Sequence, residues 1–198
     1  IAILWLMFYS GVFPFLKFAP KLMITKYAVP EELAGLIPAM LPFGTIILTP
    51  LFGSLYDRIG KGATLMVIGS VLLTIVHITF AIPGLNAWWL AVGVIVILGI
   101  AFGLVPSAMW PSVPKIIPMN LLGSAYALIF YIQNIGLSLV PILIGKINDL
   151  NTTNDTTNYS PSMVIFALFG IVSIVIALML KREDAHKNYG LEKPNIKN

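Results

Sequence analysis

Six apolar runs, each long enough to cross a bilayer, follow one another with only short polar connections between them. A helix needs about 20 apolar residues to span the hydrocarbon core of a membrane. Connections this short leave no room for a soluble domain, so the sequence predicts one bundle of six transmembrane helices, an all-α membrane protein. The predicted spans are Ile1 to Ile24, Leu33 to Tyr56, Ala63 to Ile82, Trp88 to Trp110, Leu121 to Ile147 and Pro161 to Leu180.

The composition supports this fold class and excludes several functions. Hydrophobic residues make up 58% of the chain and charged residues 10%, whereas soluble domains carry about 25% charged residues. The chain has no cysteine, which excludes disulfides and thiolate metal sites. The net charge of +4 comes from loops and the tail, with no basic stripe of interleaved aromatics. We therefore expect the lipid bilayer as a partner, but no nucleic acid, metal ion or cofactor.

The distribution of basic residues predicts the orientation of the bundle. Six spans place both ends on one side, so residues 1–180 form the membrane domain and residues 181–198 a tail on that side. The 12 Lys and Arg residues divide eight to four in favour of the tail side, which predicts that this side is cytoplasmic. The membrane itself stays open between the bacterial inner membrane and a lysosomal or plasma membrane. The eight residues are Arg58, Lys61, Lys115, Lys181, Arg182, Lys187, Lys193 and Lys197.

A charged turn connects the second and third spans, in the stretch "LFGSLYDRIGKGATL". The negative end of the second helix dipole faces Asp57, so this carboxylate needs a stabilising partner. The positive end of another helix starting on the same side is a natural one. Gly60 supplies a permissive backbone for the chain reversal, and Gly53 allows close packing against a neighbouring helix. Alternatively, Arg58 and Lys61 only anchor the turn on the cytoplasmic side.

The pattern Gly-x-x-x-Asp-Arg-x-Gly-Lys in this turn resembles the cytoplasmic signature of the major facilitator superfamily. Stretches such as "SAMWPSVPKIIP", "LLGSAYALIFYIQNIGL" and "KNYG" resemble the C-terminal half of its lysosomal dipeptide-transporting branch and bacterial relatives. The resemblance implies two inverted three-helix repeats that work against an N-terminal six-helix half. It also implies a small-molecule substrate, and a conformational latch that helps to hold the outward-open state. The latch residues would be Gly53, Asp57, Arg58, Gly60 and Lys61.

The first span carries candidate substrate-binding residues on one helical face. Tyr9, Phe13, Lys17 and Lys21 recur every four residues, and two prolines interrupt the same helix, as transporter helices tolerate near a site. Lys17 is a candidate to attract a substrate carboxylate. The alternative is that Lys17 extends its amine to the outer interface, an interpretation that the sequence favours for Lys21.

The fourth and fifth spans carry the remaining candidates. Tyr126, Phe130 and Gln133 lie on one face of the fifth span, with Asn134 beside them. The two amides are suited to bind a peptide-like backbone or to join neighbouring helices. Trp110, at the predicted cytoplasmic end of the fourth span, is either an interfacial anchor or part of an inner gate.

These features predict a non-enzymatic function. We expect half of a secondary transporter that moves a small organic solute, with dipeptides as the candidate, by alternating access. No Asp or Glu lies deep in a span, so a proton carrier is expected in the missing half, or transport is uncoupled. The chain begins within an apolar run without Met, which indicates a piece of a longer protein, although a half-size protein that dimerises stays open.

Two other classes of function fit the sequence less well. A six-span scaffold or partner subunit without transport activity is disfavoured by the eight prolines within the predicted spans. An intramembrane enzyme needs a nucleophile with a base, or metal ligands. The only histidine within a span is His77, which has no evident nucleophile partner and is better suited to a structural hydrogen bond.

Overall fold

The computed structural model describes residues 1–154 and 156–196, and this part of the chain holds six helical segments long and apolar enough to cross a membrane. All six predicted spans are confirmed. Two short antiparallel strands, β1 (Thr152–Thr153) and β2 (Thr156–Thr157), close the last connection. The helices are α1 (Ala2–Tyr27), α2 (Glu31–Ala34), α3 (Leu36–Ile59), α4 (Gly62–Ala81), α5 (Trp88–Ile116), α6 (Leu122–Leu150) and α7 (Ser160–Lys187).

Several helices extend beyond the predicted ends. The short helix α2 and helix α3 form one span that bends at Gly35. Helix α5 continues past Trp110 and Pro111 to Ile116, and Ser112 and Val113 in this extension are buried. The prediction that the fourth span ends at Trp110 is therefore too short.

The chain after the last predicted span also differs from a simple tail. Helix α7 continues to Lys187 and ends at Asn188, whose left-handed backbone (φ 54°) turns the chain. The residues that follow fold back against the rest of the molecule, and Leu191 is fully buried. Lys197 and Asn198, which belong to the predicted tail, lie outside the described residues.

The packing of the helices has an internal two-fold pattern. Helix α4 makes its most extensive contact with α7. Helix α3 packs on α5, as α6 packs on α1, and α4 packs on α5, as α7 packs on α1. If each of the first three spans is exchanged with its equivalent among the last three, the α3–α5 contact becomes α6–α1 and the α4–α5 contact becomes α7–α1. The α4–α7 contact stays the same. Because equivalent spans are three apart, they run in opposite directions, which is the arrangement of two inverted three-helix repeats.

Small residues and polar pairs hold these helices together. Gly170 of α7 lies against Thr74 of α4. A Cβ atom at Gly170 would overlap the Thr74 hydroxyl and press on the Thr74 backbone. Nearby, the hydroxyls of Ser70 and Ser173 lie 2.8 Å apart and join the same two helices. Close backbone approach and interhelical hydrogen bonds replace the hydrophobic effect as the cohesive force between helices in lipid.

His77 is a structural link between α4 and α1. Its Nε2 lies 2.7 Å from the carbonyl oxygen of Gly11, and because a carbonyl only accepts, this nitrogen carries the hydrogen. The ring is fully buried, with the rings of Phe15 and Phe166 at 5.1 and 5.2 Å. The geometry supports the structural interpretation of His77 rather than a proton relay.

The contact at Gly170 makes a test of this packing. In Gly170→Ala the new Cβ overlaps Thr74 Oγ1 and lies 3.1 Å from the Thr74 backbone, so we expect a loss of about 1–3 kcal/mol in the free energy of unfolding. Gly93→Ala in α5 is the control, because its Cβ meets no atom within 4 Å. Thermal unfolding in detergent measures both variants. Equal midpoints for the two would contradict the α4–α7 contact described here.

Candidate functional site

An aromatic cluster joins α1, α5 and α6 on one side of the bundle. The rings of Tyr9 and Phe13 stack with their centroids 4.3 Å apart. The ring of Trp5 lies 4.9 Å from Tyr9 and 5.3 Å from Trp110. Trp110 in turn stacks on Phe130 at 5.1 Å. Four of the predicted substrate-binding residues are thus brought together by three different helices.

Two members of the cluster were not among the sequence-based candidates. Trp5 connects the predicted residues of α1 to those of α5 and α6, and Phe102 lies 5.2 Å from Phe13 and 6.4 Å from Trp5. The helical period places both residues near predicted ones. Trp5 precedes Tyr9 by one turn, and Phe102 precedes Trp110 by about two turns on the same helix.

Gln133 joins α6 to α1 within this cluster. The indole Nε1 of Trp5 donates a hydrogen bond to Gln133 Oε1, and both side chains are buried. The prediction left Gln133 open between a substrate ligand and a link between helices. The structure shows the link, which also fixes the orientation of the Trp5 ring at the centre of the cluster.

Tyr126 satisfies a backbone carbonyl that a proline has freed. Pro114 lies within α5 and has no N–H, so the carbonyl of Trp110 lacks its usual helical donor. The hydroxyl of Tyr126 lies 3.3 Å from this oxygen and donates to it. The Tyr126 ring also lies 5.8 Å from the Trp110 ring. The Trp110 ring is therefore packed between α5 and α6.

Asn134 does not join the cluster. Its Nδ2 donates to the carbonyl of Phe130 in the same helix at 2.8 Å, and the side chain is exposed. It lies beside Tyr131 and Ser138 in a shallow depression on another face of α6. The structure therefore separates Gln133 from Asn134, because consecutive residues of a helix point about 100° apart.

Lys17 continues the aromatic face of α1 toward the other end of the membrane. It follows Phe13 by one turn and is exposed, as is Lys21 one turn further on. Since a helix rises about 1.5 Å per residue, Lys17 lies about 18 Å along the axis from Trp5. The candidate face thus has aromatic rings from Trp5 to Phe13 and an amine one turn beyond them.

The charged turn after α3 has the backbone that its glycine predicts. Gly60 has φ 68° and Lys61 has φ 60°, and the N–H of Gly60 donates to the Tyr56 carbonyl at 2.8 Å, ending the helix. A Cβ at Gly60 would overlap the backbone of residues 193 and 194. Gly60 is therefore required both for its conformation and for this close approach.

The other residues of the predicted latch lie in different surroundings. Asp57 is partly exposed, while the side chains of Arg58 and Lys61 are exposed. A Cβ at Gly53 would meet no atom of the described chain within 4 Å. The predicted packing partner of Gly53 is therefore not found among the described residues, and that side of α3 is open.

Ionisable groups are sparse in the core of the bundle. Each Asp or Glu in residues 1–154 and 156–196 lies near a helix end or outside the helices. Glu183 and Asp184, for example, lie near the end of α7. Within the same residues, no group of His, Asp or Glu could hold a metal ion. The candidate site is therefore built from aromatic rings, the side-chain amide of Gln133, and the amine of Lys17.

The chain belongs to the Major Facilitator Superfamily, whose sequence profile it matches over residues 1–195. Among curated proteins it is similar to the lysosomal dipeptide transporter MFSD1 of several vertebrates. It is 32% identical to the Gallus gallus protein over 89% of this chain, and 28% identical to the Bos taurus protein over 96% of it. The aligned regions cover 39% and 41% of those proteins, so the chain spans about two fifths of their length.

The amides of α6 allow a matched test of the site geometry. Gln133→Leu removes the buried hydrogen bond to Trp5, so we expect a loss of about 1–3 kcal/mol in the free energy of unfolding, since a buried donor is left unpaired. Asn134→Leu removes a bond to its own helix on an exposed face, and we expect less than about 0.5 kcal/mol. Denaturation followed by tryptophan fluorescence compares the two. A larger loss for Asn134→Leu would contradict the assignment.

Proposed function

We propose that this chain is one six-helix half of a secondary transporter, which moves a small organic solute by alternating access against a second six-helix half. The observation that carries the proposal is the aromatic face contributed by α1, α5 and α6, in a chain that belongs to a superfamily of transporters. The second half is the N-terminal part of the same longer protein, consistent with the share of the relatives that this chain covers.

The exposed sides of α3 and α6 support a partner half. Apolar side chains are stable against lipid, so their exposure alone requires no partner. Asn134 and Ser138, however, lie on the exposed face of α6 beside Tyr131. Polar groups within a span are costly against hydrocarbon and normally face protein or a water-filled cavity. We infer that this face of α6 and the open side of α3 at Gly53 contact the second half or the transport pathway.

Dipeptides are the proposed substrate. Their carboxylate suits Lys17, and their ammonium group suits the face of Tyr9 on the same side of α1, since cations bind aromatic rings. The same rings provide apolar surface for peptide side chains. The similarity to proteins named dipeptide transporters points the same way. We assign Tyr9, Phe13, Lys17, Trp110, Tyr126 and Phe130 to the binding face, with Gln133 orienting the cluster and Asn134 facing the second half.

The proposed orientation places the tail and the turn after α3 in the cytoplasm, as the eight-to-four division of basic residues indicates. Asp57 then lies where the resemblance places a latch. The lack of a carboxylate in the middle of any helix supports a transporter whose proton carrier, if transport is coupled, belongs to the second half.

Uptake of a labelled dipeptide into liposomes tests the substrate and the coupling together. The full-length protein that contains this chain is reconstituted with and without an inward-directed pH gradient. We expect uptake above that of protein-free liposomes, competed by unlabelled dipeptide. Uptake that ignores the gradient indicates a facilitator, whereas uptake driven by it places a proton carrier in the second half. No uptake under either condition contradicts the proposed substrate.

The two exposed lysines of α1 separate a binding role from an interfacial one. Lys17→Gln removes the proposed partner of the substrate carboxylate, so we expect KM for a dipeptide to rise about tenfold, equivalent to about 1.4 kcal/mol. Lys21→Gln makes the same chemical change one turn further along α1, and we expect KM within about twofold of the parent value. Initial rates over a range of dipeptide concentrations measure both. An unchanged KM in Lys17→Gln excludes that role.

A further inference from the structure

The last described residues form a strap, defined as residues 188–196, that runs back beneath the turn between α3 and α4. The strap begins where α7 ends at Asn188. Leu191 is its anchor, because the side chain is fully buried. Helix α7 and the charged turn are thereby connected by a segment with defined contacts.

Two charged side chains from other helices hold the strap in place. The carboxylate of Asp184 in α7 accepts hydrogen bonds from the N–H groups of Leu191 at 2.9 Å and Glu192 at 3.2 Å. From α5, the amine of Lys115 donates to the carbonyls of Gly190 at 3.0 Å and Lys193 at 3.1 Å. Asp184 is only 6% exposed. Charged partners make these bonds stronger than ordinary backbone bonds.

The strap caps the start of α4. The carboxylate of Glu192 accepts from the N–H of Thr64 at 2.8 Å and from its hydroxyl at 2.7 Å. The N–H groups of Lys61 and Gly62 donate to strap carbonyls at 3.1 and 2.8 Å. Free N–H groups and the positive dipole end of a helix favour a carboxylate at this position. Glu192 thus performs the role of an N-cap from 128 residues away.

The strap also caps the end of α3, at the latch aspartate. The carbonyl of Asp57 accepts from the N–H groups of Asn195 and Ile196, each at 3.0 Å. The side-chain amide of Asn195 donates to Asp57 Oδ1 at 2.7 Å. Among residues 1–154 and 156–196, Asn195 is the side chain that bonds the Asp57 carboxylate, and it bonds one oxygen of the two. The amide of Asn195 therefore sets the direction in which that oxygen points.

We propose that Glu192 and Asn195 are positioning residues of the latch, through which the strap stabilises the conformation that is closed to the cytoplasm. The inference rests on the proposed alternating access of two halves. The strap holds the α3–α4 turn at both helix ends and orients Asp57 toward the positive end of a helix in the second half. Without the strap, Asp57 loses this orientation, the contact between the halves weakens, and the cytoplasm-open conformation gains population.

Distances between the two halves test this inference in the full-length protein. A spin label at Ser124→Cys, an exposed position at the start of α6, is paired with one at the same membrane side of the second half. The 198 residues contain no cysteine of their own. Pulsed electron resonance then gives the populations of the closed and open distances. We expect Asn195→Ala and Glu192→Gln each to raise the open-to-closed ratio about fivefold, the effect of one hydrogen bond.

Two controls separate positioning from general stability. Lys187→Gln removes an exposed ion pair with Glu183 outside the strap, and we expect an unchanged ratio. The double variant Asp57→Ala with Asn195→Ala should match Asp57→Ala alone, because Asn195 acts through that carboxylate. An unchanged ratio in both strap variants, or additive effects in the double variant, would overturn the inference. Failure of dipeptide uptake with the expected distance shifts would refute the substrate and leave the strap assignment intact.

Discussion

The structure depends on one constraint, which is that a polar group left without a partner in hydrocarbon is costly. The chain meets it first by forming helices that satisfy their own backbone. Two buried polar side chains inside the bundle are paired between helices, Ser70 with Ser173 and His77 with the Gly11 carbonyl. Each of these bonds fixes how one helix is rotated against the next. The rotation of α1 in turn determines that its aromatic residues face α5 and α6.

The same constraint explains how the charged residues are used. Several charged residues lie near the helix ends, where they meet backbone groups that the helices leave unpaired. Asp184, Glu192 and Lys115 all act on backbone groups of the strap or of α4. The side of the molecule that carries the superfamily's signature turn is therefore held by charge-assisted bonds, whereas the membrane interior is held by small residues and packing. Tyr56 lies at the boundary between these two regions, because its side chain is buried and its ring lies beneath the Lys115 amine.

The spans and the face of α1 could be predicted, because apolar length and the 3.6-residue period are local properties of the sequence. Trp5 was not predicted although it lies one turn before Tyr9, since an apolar ring within a span is equally suited to face lipid. Gln133 and Asn134 were grouped together because they are adjacent, but the rotation of α6 separates them. The strap could not be predicted, since its bonds join Asp57 to Asn195 and Thr64 to Glu192 across most of the chain. Such pairings follow from the packing of α5 and α7.

The bond from Tyr126 to the Trp110 carbonyl has a mechanical consequence for α5. A proline removes one rung of the helix ladder, so the end of the helix beyond it bends more easily than the rest. The released carbonyl is held by a side chain of another helix rather than by its own backbone. Such a bond is able to break and re-form as two helices shift, without unwinding either one. The position of this end of α5 is therefore linked, through a single side-chain hydrogen bond, to the position of the tyrosine on α6.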